Sequence, residues 1–523
     1  MGRYLLIGAL GGPNFGDEII LAAWINAIRR KDPMAVIVCD GYNLENLKWF
    51  VGGRADVLTP EESLWRASYA VASGADHTAI WSHIQANLED LGRLEITIKC
   101  LEALKHRKFD QIHLVGGGYF NSLWRSNYFL LIIARLLGWQ TGAKVVATGL
   151  GLLPTAEADL SELQGILQTF DLVDVRDSGS LAQLKIPDWQ QVSCSGDDAL
   201  LYLSDGEPQY PLRQVAGKAM VICIQNDLFE GNKIADVLFT AASVEVLKEY
   251  GIRDIIYAAA MSTDVAKPSE ELKINLESEG FRLSSINPVE LAEKGFPVSN
   301  GGIIVTSRYH PHFFGALSGY KGIALSAIPY YDTKHAAVRA MGSAWPVLSV
   351  EDTCESFATV LAAEFARTGP SFDREAKADF MSRKHDLLNK VLQIREEPKG
   401  FPLDISSIWA SLVHRLEESE RNYSILKSGF DEQTQTLSLE TDRRIELEAR
   451  IQNLEADIRT MHAEIDAYKR DIEQREADVR AMQGEINGYK RDIEQQTAEK
   501  EAMLTSRSWK LTAPLRYIAS LIH

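Results

Sequence analysis

The chain has 523 residues, 46% hydrophobic and 24% charged, a composition that excludes wholesale disorder and leaves room for about three domains. Lysine and arginine total 55 against 72 aspartates and glutamates, a net charge of −17. That argues against a nucleic-acid binder, and any bound anion needs locally placed cations or amides. Cys39, Cys100, Cys194, Cys223 and Cys354 are scattered singly with no C-x-x-C, which fits neither a disulfide framework nor a zinc site.

Short β-branched runs alternate with amphipathic segments through residues 1–210. YLLIG (4–8), AVIVCD (35–40), IHLVGGG (112–118), KVVATG (144–149) and DLVDVRD (171–177) read as buried parallel strands of βαβ units. GEPQYPLRQ (206–214) reads as a linker. The pattern restarts over 211–365 with AMVICIQ (219–225), IRDIIYAAA (252–260), GGIIVTSR (301–308) and KGIALSA (321–327), and a helix is expected over 234–248. Residues 366–400 read as a helix (374–395) packing back on the body, then a break.

Residues 401–503 differ in kind. An apolar seam runs from Leu447 to Ile493 at steps of four and three, and EIDAYKRDIEQ (464–474) returns as EINGYKRDIEQ (485–495), 21 residues on. Three heptads separate the copies, so a coiled coil and a homodimer are expected. The last segment, 504–523, is basic and amphipathic and carries Trp509 and Tyr517, which suits a membrane interface or a partner enzyme. The opening residues do not read as a signal peptide, and the longest apolar stretch (128–139) contains Arg135 and is too short to span a bilayer. A cytoplasmic protein is expected, peripheral at most to the inner face of the membrane.

Three Gly-rich loops follow predicted strands. GALGGPNFGDEII (8–20) opens a helix and exposes amides that suit phosphate, yet it fits neither G-x-G-x-x-G nor a P-loop, because Asp17 and Glu18 stand where Lys and Ser/Thr belong. VGGGYF (115–120) and TGLGLLP (148–154) end two further strands. In an open parallel sheet these loops share one edge, where ligands bind. Asn14, Gly16, Asp17, Gly117, Gly118, Gly149 and Gly151 are therefore candidate substrate-binding positions; Asp17 also reads as a helix cap, and the glycines as tight packing.

Arg176 ends another strand, where a guanidinium can pair with a carboxylate or phosphate, or simply with Asp174 or Asp177. TSRYHPHFFGALSGYKGIAL (306–325) places Arg308 and His310 on the ligand edge of the second domain, a pairing that suits an anion plus proton transfer. His312 reads as structural. Lys334 adds charge to the cleft or lies in solvent, and Asp197 and Asp264 orient sugar hydroxyls or serve as caps. No metal motif and no G-x-S-x-G elbow occurs.

In order, GPNFGDEII, VGGGYF, TGLGLLP, VRDSGSLAQL, SGDDAL and SRYHPHFFGALSGYKGIAL resemble the polysaccharide pyruvyl transferase family over about residues 1–335. The Pro311-His312 pair departs from the family's more aliphatic pattern, and Asp198 stands where a proline commonly follows Asp197. The resemblance implies an α/β protein of two Rossmann-like domains facing across a cleft, GT-B type. It implies phosphoenolpyruvate as donor, a sugar or lipid-linked saccharide as acceptor, a ketal-linked pyruvate as product and no cofactor. Arg176 and Arg308 would hold the donor and His310 would move the proton. A nucleotide-sugar glycosyltransferase, or a scaffold working through its coiled coil, is the alternative. The C-terminus also resembles the S-x-S-W-[RK]-x-T-x-P-L-R ending of bacterial surface-polysaccharide glycosyltransferases.

Overall fold

The computed structural model describes residues 2–12, 14–72, 81, 84, 95–184, 189, 191–202, 211–351, 353–393, 484–485 and 487–502. The chain divides into two units, Met1–Ser419 and Glu420–His523.

The first unit carries two parallel sheets. Strands β1 (Arg3–Ile7), β2 (Val36–Asp40), β3 (Asp56–Val57), β4 (Gln111–Leu114), β5 (Lys144–Leu150), β6 (Leu172–Val175) and β7 (Val192–Cys194) form a seven-stranded sheet in the order β3-β2-β1-β4-β5-β6-β7. After β8 (Leu212–Gln214), strands β9 (Ala219–Cys223), β10 (Asp254–Ala258), β11 (Arg282–Ile286), β12 (Phe296–Val298), β13 (Ile303–Thr306), β14 (Gly322–Ser326) and β15 (Val347–Ser349) follow. Six of them build a second sheet, β11-β10-β9-β13-β14-β15, while β12 pairs with β8. Each sheet repeats the doubly wound order, with its reversal between β1 and β4 in one and β9 and β13 in the other. This is the expected α/β architecture of two Rossmann-like domains in the GT-B arrangement.

The apolar runs become strands because helices cover both faces, so nearly every side chain of β4, β5, β9 and β14 is buried. Strands without such a run escape a reading of periodicity: β11 is RLSSI with three exposed positions, and β3 has two residues. The helix expected over 234–248 is two helices, Gly231–Val237 and Ala241–Glu249. Thr240 breaks it, because its hydroxyl accepts from the Ser243 amide at 3.2 Å and starts a new helix.

The domains share a packed apolar seam. Phe15, at the head of the Phe15–Lys31 helix, meets Phe296 (ring centroids 5.7 Å apart) and Phe314 (6.5 Å), and its amide donates to the Ala260 carbonyl at 3.0 Å. The Arg374–Gln393 helix returns to the first domain, as the sequence pattern predicts. Its fully buried Lys384 ammonium lies 2.8 Å from Asp198 Oδ1 and 3.3 Å from Asp174 Oδ2.

In the second unit residues 487–502 are helical, with Tyr489 and Ile493 exposed. The remainder of the predicted coiled coil and the basic tail lie outside the described residues. No described helix is long and apolar enough to cross a membrane.

Removing one member of a buried ion cluster strands the others in a medium that solvates charge poorly. Lys384→Met leaves Asp174 and Asp198 uncompensated and is expected to lower stability by about 3–5 kcal/mol in urea unfolding followed by circular dichroism.

Candidate active site

The C-terminal edges of the two sheets face each other across a cavity of about 830 Å³. Gly11, Asn14, Gly16, Asp17, Gly118 and Arg176 line it from the first domain; Asp227, Arg308, His310, Tyr330 and Lys334 line it from the second. Burial and close packing keep the charged groups in fixed positions.

His310 is the second residue of the Tyr309–Leu317 helix, which follows β13. Its Nε2 lies 3.6 Å from Asp197 Oδ2, and that carboxylate is fully buried. Asp197 does not line the cavity, so it faces His310 rather than a sugar hydroxyl. Burial works against its charge, but His310, Arg176 and the Ala199 amide outweigh it and bring its pKa down to about 2. On its other side, His310 lies against Gly16: a Cβ there would stand 1.8 Å from His310 Nδ1. The first domain thus needs a residue without a side chain at the point where the second domain's imidazole approaches.

Arg176, directly after β6, is buried. Its guanidinium stacks on the Tyr309 ring at 4.5 Å and its Nε lies 3.4 Å from Asp177. Burial opposes its charge, but Tyr309, Asp177 and Asp197 outweigh that and hold it firmly protonated. Gly151 makes room for it, since a Cβ would come within 2.4 Å of Arg176 Cζ. Arg308 is engaged on its own domain: it pairs with Asp264, reaches Asp227 at 3.4 Å and donates to the Tyr331 hydroxyl at 3.4 Å. Asp264 therefore anchors Arg308, a role the sequence reading did not offer, and it also accepts from the Ala260 and Met261 amides as a turn residue; Arg308 still lines the cavity.

Lys334 stands in the cavity wall rather than in solvent, over the Tyr330 ring at 4.1 Å and the Tyr331 ring at 5.0 Å. Burial draws its ammonium downward from the usual lysine range. In turn, although burial pushes the Tyr330 phenol up, Lys334 and Arg176 bring it below the ordinary tyrosine range. The Tyr330 hydroxyl donates to the Gly118 carbonyl at 3.3 Å, which closes the cleft from the second domain. Sequence reasoning missed Tyr330; its place four residues before Lys334 on one helix was the available signal.

Loop amides play a different part from the expected one. Gly11 N donates to Glu18 (2.8 Å), Gly16 N to Asn14 (3.1 Å), Gly116 N to Asp198 (3.2 Å) and Gly149 N to Asp174 (3.2 Å). Gly151 N is taken by the Gly117 carbonyl at 2.9 Å. Gly117, Gly149 and Gly151 do not line the cavity. These glycines admit Asp198 and Arg176 to the loop backbones, and the cationic lining of the cavity is side-chain charge. Asn14 caps the Phe15–Lys31 helix and donates to Asp17 Oδ2 at 2.6 Å. Asp17 lines the cavity near His310 and Lys334; burial raises its pKa to about 6 against their pull. His312 is buried, 3.0 Å from His335 Nδ1 and 2.8 Å from the Ser343 hydroxyl, a structural place as expected.

Two sheets meet edge to edge over a cleft lined by Arg176, Arg308, Lys334 and His310. The model of the polysaccharide pyruvyl transferase family matches residues 14–327. The chain belongs to this family and is a transferase. A search of curated proteins gives no match. Among solved structures the chain is similar to UDP-GlcNAc 2-epimerase from Neisseria meningitidis (13% identity, 75% of this chain and 100% of that one, TM-score 0.45). It is also similar to UDP-GlcNAc 2-epimerase from Methanocaldococcus jannaschii (12%, 74% and 100%, TM-score 0.39) and to MurG from Acinetobacter baumannii (11%, 75% and 100%, TM-score 0.39).

Gly16→Ala is expected to displace His310, and Gly151→Ala to displace Arg176. Each should lower pyruvyl transfer about 10²-fold, since a shift of about 1 Å in a reacting group has that effect, while circular dichroism stays native. Glu18 gives a pH test. Burial raises its pKa from 4.5 to about 8, so its contribution is complete below pH 4.5 and is lost as pH rises through 8. Glu18→Gln, which keeps the acceptor for Gly11, should raise thermal stability at pH 8.5 and leave it unchanged near pH 4.5.

Proposed function

We propose that this enzyme transfers pyruvate from phosphoenolpyruvate to two hydroxyls of a cell-surface saccharide, as a ketal, with release of phosphate. The observation that carries the reading is the convergence of Arg176, Arg308, Lys334 and His310 on one cavity. The donor carries a carboxylate and a phosphate, and cations held on fixed elements favour both without reorganising during the reaction.

The bonds balance without an oxidant. One acceptor oxygen forms a bond to C2 of the donor as C3 gains a proton and becomes a methyl group. The C2–O bond to phosphate breaks, and the second hydroxyl closes the ketal. Of the two hydroxyl protons, one is matched by the proton on C3 and the other leaves with phosphate. His310, with Nε2 3.6 Å from the Asp197 carboxylate, is the group proposed to exchange these protons. Asp17, with its pKa near 6, is the second group able to take one at neutral pH. Arg176 from one domain and Arg308 and Lys334 from the other are proposed to hold the donor anion. No resident cofactor enters this scheme.

With phosphoenolpyruvate and lipid-linked saccharides, phosphate release should accompany a mass gain of about 70 Da on the acceptor, pyruvic acid less one water. His310→Ala and Arg176→Ala should lower kcat/KM by about 10² or more with the fold intact. Phosphoenolpyruvate at about a hundred times Kd should stabilise the protein by about 2.7 kcal/mol. A thermal shift with UDP-sugars and none with phosphoenolpyruvate would favour a nucleotide-sugar enzyme instead.

A further inference from the structure

The charged floor occupies part of the cavity. Its mouth is aromatic and apolar: Tyr42 (67% exposed), Tyr69 (63%), Trp124 (45%), Leu123 (44%) and Leu228 (39%) all line it and face solvent. Large apolar side chains gathered at one opening mark a binding surface, whereas scattered ones carry no meaning.

The loop that bears Leu123 and Trp124 has its polar groups turned inward. Asn121 is fully buried; its side chain donates to the Gly118 carbonyl at 2.8 Å and accepts from the Leu123 amide at 2.9 Å. Ser122 and Arg125 both reach the buried carboxylate of Asp159, at 2.6 and 2.7 Å, and Asn127 donates to the Tyr119 carbonyl at 2.8 Å. A loop usually sends polar groups to water and apolar ones inward. Here five inward bonds lock the backbone while Leu123 and Trp124 stay wet. Trp124 lines the same cavity as Tyr330 of the second domain. The Leu64–Ala72 helix is fixed likewise, through Trp65 packed on Tyr119 at 5.7 Å, and leaves Tyr69 outward. The rings are rigid before any ligand arrives, which lowers the entropy lost on binding.

We infer that Trp124 and Tyr69 form the platform on which a pyranose ring of the acceptor stacks, with its hydroxyl edge turned to the cationic floor. The inference rests on the proposed transfer to a saccharide and assigns the acceptor side of that site. A pyranose has an apolar C–H face and a polar rim, and so matches an exposed indole or phenol face beside Asn46 and Ser126. A three-carbon donor held by Arg176 and Lys334 leaves most of the 830 Å³ to the acceptor. Trp124 shares the cavity lining with Tyr330 and Lys334, which lie 4.1 Å apart, so a ring stacked on Trp124 has the donor site within the same cavity.

Saturation-transfer NMR on the full chain tests this with methyl glycosides of glucose, galactose, mannose and N-acetylglucosamine and their β-linked disaccharides. The wild type should saturate the C–H protons of one ring face for at least one of them. Trp124→Ala and Tyr69→Ala should each weaken that binding about tenfold, and Trp124→Phe should restore most of it. Both alanine variants should keep the wild-type thermal shift with phosphoenolpyruvate. Absence of any wild-type saccharide signal, binding as tight as the wild type by both alanine variants, or a Trp124-dependent signal from polyprenyl phosphate alone overturns the platform. Loss of saccharide binding in Trp124→Ala, with no phosphoenolpyruvate shift in the wild type, upholds the platform and overturns the donor assignment.

Discussion

The buried ammonium of Lys384 between Asp174 and Asp198 is the interaction on which the rest of the first domain's ligand edge depends. Asp198 also accepts from the Trp24 indole (2.8 Å), the Thr148 hydroxyl (2.5 Å) and the Gly116 amide (3.2 Å). One carboxylate thus ties together the helix after β1, the loop after β4, the end of β5 and the helix returning from the second domain. Buried carboxylates in such a place are tolerable only with a cation and a full set of donors, and Lys384 supplies the cation. Asp174 completes the cluster through Ser193, Ser195 and the Gly149 amide. Position 198, where the resembling family commonly has proline, is therefore filled by a residue whose partner lies 186 positions further along the chain.

This ion cluster explains why glycines crowd the edge. With Gly116 and Gly149 turned to carboxylates behind the loops, the cavity in front is charged by side chains. Arg176 lies flat against Gly151 and under Tyr309; His310 lies against Gly16. Backbones that approach so closely leave no room for rotamer change, so each charge has one position. The same closeness couples the groups electrically. Asp197 stays ionised although fully buried because His310 and Arg176 face it, and in the opposite wall Lys334 draws the Tyr330 phenol toward ionisation.

The chain carries a net charge of −17, so an anion is held only where local cations are placed, and Arg176, Arg308 and Lys334 are the side-chain cations that line the cleft with His310. Neutral sugar hydroxyls gain little from such charges. The proposed aromatic platform would supply the complementary kind of recognition, through apolar contact rather than charge, in the same cavity where Lys334 lies over Tyr330.

The sequence by itself determined the parallel sheets and the edge on which chemistry gathers. Runs such as KVVATGL and AMVIC have no polar face, so they can only lie inside a sheet covered on both sides, and the glycines, Arg176, Arg308 and His310 that follow such runs must then share the strand ends. Short or polar strands such as β11 were not legible, because their place comes from neighbours and not from their own burial. Tertiary structure alone decided how the charges were assigned. That Asp197 serves His310, that Asp264 holds Arg308, that Lys384 neutralises Asp198 and that Lys334 stands among aromatic rings in the cavity wall all depend on segments distant in the chain. Local pattern reports whether a segment is buried. Whether a buried charge has a partner, and so whether it is an anchor or a free hand for substrate, is settled only when the fold brings that partner to within about 3–4 Å.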